Sequence, residues 1–265
     1  MANKNTCKVI SSSSTKGGVS KTTTIKLLSL LIKKEEQDNS RILIIDLCQN
    51  GDVSTRLGYN NSNFTYYIHH FMRDECTFEE VRQIDEETGI HFIPANEEIL
   101  EFMPFIKKRN QFTYMFDLKR KLEPLKEQFD FVFLDTHPSQ SDDLLSLSLI
   151  ASDIVLIPTL LDYSSVSAME KTIDLVHQAR EINENLKYQV IAANVDLTKR
   201  KSRLKEFMKF MKEEKGIERV PVIPRSVLVE DADFDGVNLA TSNKAYAINV
   251  MNGYREVLNI IKKEM

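Results

Sequence analysis

The chain has no tryptophan, and only seven prolines and eight glycines among 265 residues. Sparse Pro and Gly, with 42% apolar and 28% charged residues, exclude a collagen-like or low-complexity chain and argue against long disorder. The three cysteines, Cys7, Cys48 and Cys76, show neither pairing nor metal-ligand spacing. A disulfide framework is therefore not expected, and a reduced cytosolic setting is. The start, Met1-Ala2-Asn3-Lys4-Asn5, lacks the apolar core of a secretory signal. No apolar run approaches the roughly 20 residues that cross a bilayer. Excess basic charge is missing too. A net charge of −4 excludes a globally basic nucleic-acid binder and leaves room only for a local patch.

What is present is an alternation of apolar runs and helical patterns. Strands are expected at Cys7 to Ile10, Ile42 to Ile45, His91 to Ile93, Phe131 to Leu134, Ile154 to Ile157 (closed by Pro158), Val190 to Ala193 and Val220 to Ile223. Helices are expected at Thr22 to Lys34, at Asp117 to Gln128 with Pro124 bending or ending it, at Ser165 to Glu184 and at Ser242 to Lys263. Unbroken apolar strands read as buried on both faces, as in a parallel sheet. The fold class is thus α/β, a doubly wound and mostly parallel sheet flanked by helices. No repeat or linker divides the chain, so residues 1–265 read as one domain. The stretch from Asn60 to Glu87 carries turn-like residues and mixed charge, and gives no functional reading.

Between the first strand and the first helix runs Lys16-Gly17-Gly18-Val19-Ser20-Lys21-Thr22-Thr23. Phosphates need inward backbone N–H groups and a helix N-terminus behind them. The paired glycines allow such a nest. Lys21 would neutralise the β- and γ-phosphates, and the Thr22 hydroxyl would ligate Mg²⁺. The bland alternative is a Gly-Gly turn with solvated lysines. Two departures from an ordinary phosphate loop stand out. Ser20 replaces the glycine before the lysine, and Lys16 adds a second lysine ahead of the glycine pair.

That loop resembles the deviant Walker loop of the ParA/MinD family of ATPases. Further pieces follow in the family's order: Asp46-Leu47-Cys48-Gln49-Asn50-Gly51-Asp52, like the first switch; His91-Phe92-Ile93-Pro94-Ala95-Asn96; Leu122 to Lys126; Phe131 to Ser139, like the second switch; Ala151 to Pro158; and Val222-Ile223-Pro224-Arg225-Ser226. The resemblance spans about residues 6 to 240 and is nearest to the partition ATPases. It implies ATP and Mg²⁺ as cofactors and a homodimer formed with ATP. Lys16 would reach across the dimer to the partner's nucleotide. Asp46 would hold the Mg²⁺ water shell, Asp135 would be the Walker B acid, and Asn194 and Pro224 would lie against adenine. For Asp46 a cap on the following turn is the competing reading.

Departures from the family carry their own expectations. Its hydrolytic aspartate falls at Cys48, where a thiol is a poor base. Weak basal hydrolysis is expected, or help from a partner. Asp52 is a nearby acid at a different spacing, and His137 in the second switch reads as a solvated loop histidine. The run from Lys199 to Lys215 makes a helix with an apolar stripe of Leu204, Phe207, Met208 and Met211. Its basic residues, Lys199, Arg200, Lys201, Arg203, Lys205, Lys209 and Lys212, suit sequence-independent contact with DNA phosphates. A solvated helix face is the alternative, and Leu228 stands where the family often has arginine. The resemblance implies non-specific DNA as one partner, a centromere-binding ParB-like protein as another, and a nucleoid-associated cytoplasmic location. The chain begins at the first strand, so an N-terminal helix-turn-helix domain and operator-specific repression are not expected. Two other readings stay open. One is a MinD-like ATPase docking on membrane through Met251, Tyr254, Leu258 and Ile261. With only Lys262 and Lys263 to meet lipid, that stripe reads better as packed on the domain. The other is a nucleotide-binding scaffold that scarcely turns over.

Overall fold

The apolar runs become the centre of a parallel sheet. The computed structural model describes residues 7–36, 39–138, 143–227, 229 and 238–264. Among these, the strands are β1 (Lys8–Ser12), β2 (Ile42–Leu47), β3 (Gln83–Ile84), β4 (His91–Ile93), β5 (Phe131–Thr136), β6 (Ile154–Thr159), β7 (Lys187–Val195) and β8 (Val222–Pro224). Their order across the sheet is β3-β4-β2-β5-β1-β6-β7-β8. Every pairing is parallel except that of β3 with β4. The helices are α1 (Lys21–Glu35), α2 (Asp52–Arg56), α3 (Ile68–Met72), α4 (Phe78–Val81), α5 (Ile99–Arg109), α6 (Asp117–Leu122), α7 (Asp143–Ala151), α8 (Tyr163–Ala179), α9 (Lys201–Lys215) and α10 (Ala245–Lys263).

Alternate residues of the central strands feed two cores. Ile42, Ile44, Phe131 and Phe133 pack with α1 and α10. Leu43, Ile45, Val132 and Leu134 pack with α5, α6 and α7 on the other face. Burial on both faces is why these strands show no polar alternation. A third cluster joins Val155, Ile157, Val190 and Ala192 to α8 and α9.

The apolar stripe of α10 is part of the first core: Met251, Tyr254, Leu258 and Ile261 are all buried there. It is not presented to a membrane surface. A Cβ at Gly253 would fall 2.6 Å from the Val222 carbonyl oxygen, so glycine lets α10 approach β8. No helix of the described residues is long and apolar enough to cross a membrane.

Several boundaries differ from the sequence reading. β6 runs through Pro158 to Thr159. Leu156 offers its carbonyl to Ser13 N–H, and position 158 faces the same side, where pairing with β1 has already ended at Leu156. The proline's missing N–H therefore breaks no ladder bond. Helix α8 stops at Ala179 rather than Glu184. At Pro124 the α-helix has given way to a 3-10 turn over Glu123–Glu127, as its ring requires. Leu228 and Ser139 lie outside the described residues.

Candidate functional site

β1 lies between β5 and β6, where the winding of the sheet reverses and an open crevice forms at the strand ends. Its exit loop is tied to α8: Thr15 N–H donates to Thr172 Oγ1 at 3.2 Å, and Thr15 Oγ1 to the Ala168 carbonyl at 3.1 Å. The following turn carries two left-handed residues, Gly18 at φ 71° and Ser20 at φ 74°. Serine there costs about 1 kcal/mol relative to a relaxed backbone. Ser20 sits at the N-cap of α1, yet its side chain makes no capping hydrogen bond among the described residues. The first N–H groups of a 15-residue helix are thus left for a ligand. Val19 is buried beneath the turn, and Gly17 packs beside Pro138.

Lys21 is buried at the head of α1, its Nζ 3.4 Å from the Lys16 carbonyl oxygen. Burial pulls its pKa down, and the charges of Asp135 and Asp52 work the other way. Thr22 Oγ1 donates to Asp135 Oδ2 at 2.6 Å. The other oxygen of Asp135 is buried with no hydrogen-bond partner among the described residues. Such an atom is costly unless something binds it. Burial raises the Asp135 pKa to about 6, against the Thr22 hydrogen bond and the Lys21 charge. Asp46 lies directly opposite Asp135 across the β2–β5 ladder and is fully buried. Burial and the Asp135 charge raise its pKa. Its two oxygens accept from Cys48 N–H at 2.8 Å and Val53 N–H at 3.0 Å. Asp46 therefore does what the competing reading expected and caps the turn into α2.

Cys48 is buried, with Sγ 3.7 Å from Asp52 Oδ2. Burial pushes its thiol up to about 12, so it is a neutral donor near neutral pH and not a base.

Lys16 points away from this cluster. Its Nζ lies 3.2 Å from Asp162 Oδ1, 2.7 Å from Ser164 Oγ and 2.8 Å from Ser165 Oγ, at the start of α8. Asp162 also caps α8 through Ser165 N–H at 2.9 Å. Partial burial opposes ionisation of Asp162. The hydrogen bonds from Ser164 and Ser165, joined by Lys16, outweigh it and hold the carboxyl well below the usual range. The Lys16 anchor was missed in the sequence. Only the cap pattern of Asp162 before an apolar-periodic helix hinted at it.

Next to the loop is a pocket of about 230 Å³, where Gly18, Ser20 and Thr23 meet Asn194 and Pro224. Asn194 is left-handed at φ 52°, within an irregularity of the β7–β8 ladder between Ala192 and Val195. Asparagine is the usual non-glycine choice for that conformation. Arg56 and Tyr254 also line the pocket and were not foreseen.

Helix α9 buries Phe207 and Met211 and leaves Lys201, Arg203, Lys205, Lys209 and Lys212 exposed, as its pattern predicts. Lys199 is exposed just before it. Arg200 departs from the expected basic face: its guanidinium donates to the Leu161 carbonyl at 3.2 Å. Glu213 lies 3.8 Å from Lys209 and offsets part of the charge.

A loop, lysine and strand-end aspartates so arranged in a doubly wound sheet define the P-loop NTPase class of fold. A family model described as an AAA domain matches residues 7–190. Chromosome partitioning protein ParA of Myxococcus xanthus is 31% identical over 188 residues, which is 69% of this chain and 63% of that protein. Sporulation initiation inhibitor protein Soj of Bacillus subtilis is 26% identical over 238 residues, covering 86% of this chain and 88% of Soj. Cobyrinic acid a,c-diamide synthase of Mycobacterium smegmatis, solved with ADP and magnesium, superposes with a TM-score of 0.78 at 20% identity, over 98% of this chain and 97% of that one. The last likeness shows the fold alone. The chain belongs to the AAA domain family and, within it, to the ParA/MinD group of P-loop proteins.

Proposed function

We propose that the chain is an ATP-driven dimer switch of the partition type, acting on non-specific DNA. The observation that carries this reading is the convergence of Lys21, Thr22 and Asp135 at the head of α1, with one buried Asp135 oxygen unsatisfied. The donor set of hydroxyl and carboxylate oxygens fits Mg²⁺, a hard cation. Thr22 and Asp135 would hold it, with Asp46 behind them, and the ion would offset phosphate charge. Lys21 would meet the phosphates, and the free N–H groups of α1 would complete the cradle. Asn194 and Pro224 would bracket the adenine.

The dimer reading rests on Lys16. Its ammonium is held, partly exposed, at the start of α8, where Tyr163 is 92% exposed beside an open hollow of about 450 Å³ lined by Val166, Phe207 and Phe210. A second copy closing on that face would cover apolar surface and bring each Lys16 toward the other's nucleotide. DNA would lie along the exposed lysines of α9, through phosphate contacts alone. A ParB-like partner would trigger hydrolysis and release, placing the protein on the nucleoid in the cytoplasm. The buried stripe of α10 weighs against the membrane reading. The neutral Cys48 thiol favours slow turnover without a partner.

Light scattering in the presence of Mg²⁺ tests the switch. The mass should double from 30.5 kDa with a non-hydrolysed ATP analogue and stay monomeric with ADP. The same mass with both nucleotides would refute it.

A further inference from the structure

Residues 60–98 hold a cluster of ligand-bearing side chains that the nucleotide site does not use. Helix α3 is only five residues long, and its first N–H donates to the Pro94 carbonyl at 2.8 Å. On it His69 is fully buried, with Nε2 3.2 Å from Glu98 Oε2 at the N-cap of α5. Despite that proximity, neither ring nitrogen of His69 has a hydrogen-bond partner among the described residues. A buried polar ring without a hydrogen bond carries a desolvation cost. The His70 ring is adjacent, 4.0 Å between centroids. One ligand atom from each of His69, His70 and Glu98 lies within 4.8 Å of the other two.

We propose that His69, His70 and Glu98 bind a divalent transition ion of the zinc class, clamping α3 to the start of α5. Two imidazoles and one carboxylate suit Zn²⁺, Co²⁺ or Ni²⁺ and not Mg²⁺, so the site is chemically separate from the nucleotide site. A neutral imidazole keeps a lone pair for a metal. The Glu98 side chain is 59% exposed, which gives the ion an entry path and the carboxylate freedom to close on it. Bonds of about 2.0–2.2 Å require that closure.

His70 supplies a distinctive signature. Its Nδ1 accepts from Tyr67 N–H at 3.1 Å. Metal binding removes that acceptor through either nitrogen. If Nδ1 takes the ion, its lone pair is occupied. If Nε2 takes it, Nδ1 carries the proton. The Tyr67 amide must lose its bond when the ion arrives. The clamp would also stiffen the turn against the β2 exit loop, since Asn61 Nδ2 donates to the Ala95 carbonyl at 2.8 Å and a Cβ at Gly51 would fall 2.9 Å from that oxygen.

The full chain, stripped with chelator, is titrated with Co²⁺ without nucleotide and in excess Mg²⁺. One equivalent should bind, with a visible spectrum of nitrogen and oxygen ligation and no thiolate charge-transfer band. Glu98→Gln, a change at an exposed side chain that leaves the fold intact, should weaken binding at least tenfold, and so should His70→Gln. Hydrogen exchange at the Tyr67 amide should speed up on loading. No stoichiometric binding, a thiolate spectrum, or a Glu98→Gln affinity within tenfold of the parent would each overturn the site.

Discussion

Cys48→Asp should raise ATP turnover by about 10²–10⁴, the usual worth of a positioned general base. Position 48 follows the end of β2, two residues after Asp46, and its backbone N–H is already held by that carboxylate at 2.8 Å. The loop is therefore formed, and only the side chain lacks the chemistry. A thiol pushed up to about 12 by burial neither accepts a proton nor carries charge toward an attacking water. An aspartate would do both, at the cost of a further acid near Asp46, Asp52 and Asp135. Lys21 and a bound Mg²⁺ would offset that crowding. Cys48→Ser serves as the control, because a hydroxyl is no better a base than the thiol. Its rate should match the parent in a phosphate-release assay. An unchanged rate for Cys48→Asp would mean that Asp52, or a group from another protein, orients the water.

The second large effect separates the two lysines. Lys21→Ala should abolish measurable nucleotide binding. A charge-assisted contact is worth about 1.5–3 kcal/mol, and Lys21 would face two phosphates, so a loss above about 10²-fold is expected in calorimetry. Lys16→Ala should leave that affinity within a few-fold and remove the ATP-dependent dimer. The reason is positional. Lys16 Nζ rests on Asp162, Ser164 and Ser165, away from the Lys21–Asp135 cluster. To act on a second copy's nucleotide it must leave those three acceptors. Normal dimerisation by Lys16→Ala, seen in sedimentation velocity, would show that the lysine serves only to anchor the loop on α8.

Much of this was legible in the sequence because the relevant signals are local. The runs Ile42 to Ile45 and Phe131 to Leu134 end in aspartates, and the structure sets Asp46 beside Asp135 in register. The loop spelled out its own helix N-terminus. Other parts were hidden for physical reasons. Helix α7 has apolar residues on every side, Leu144, Leu145, Leu147, Leu149 and Ile150, so it shows no period to read. Helices α3 and α4 span five and four residues, about one turn each. Helix α5 carries Pro104 and exposes Leu100 and Phe105, which blurs its buried stripe. Contacts between distant residues left no spacing signal: Lys16 with Asp162 is 146 residues apart, and His69 with Glu98 joins two elements across β4. Ser20 was legible as a serine in a glycine's place, but only its left-handed φ reveals the strain.

In the proposed switch, nucleotide state gates contact with DNA. Binding to a random-sequence duplex, measured with ATP, ADP or no nucleotide across a salt series, tests it most directly. Tight binding is expected with ATP alone, falling steeply with salt because the lysines of α9 would replace phosphate counterions. Binding of equal strength in all three nucleotide states, or none in any, would contradict it.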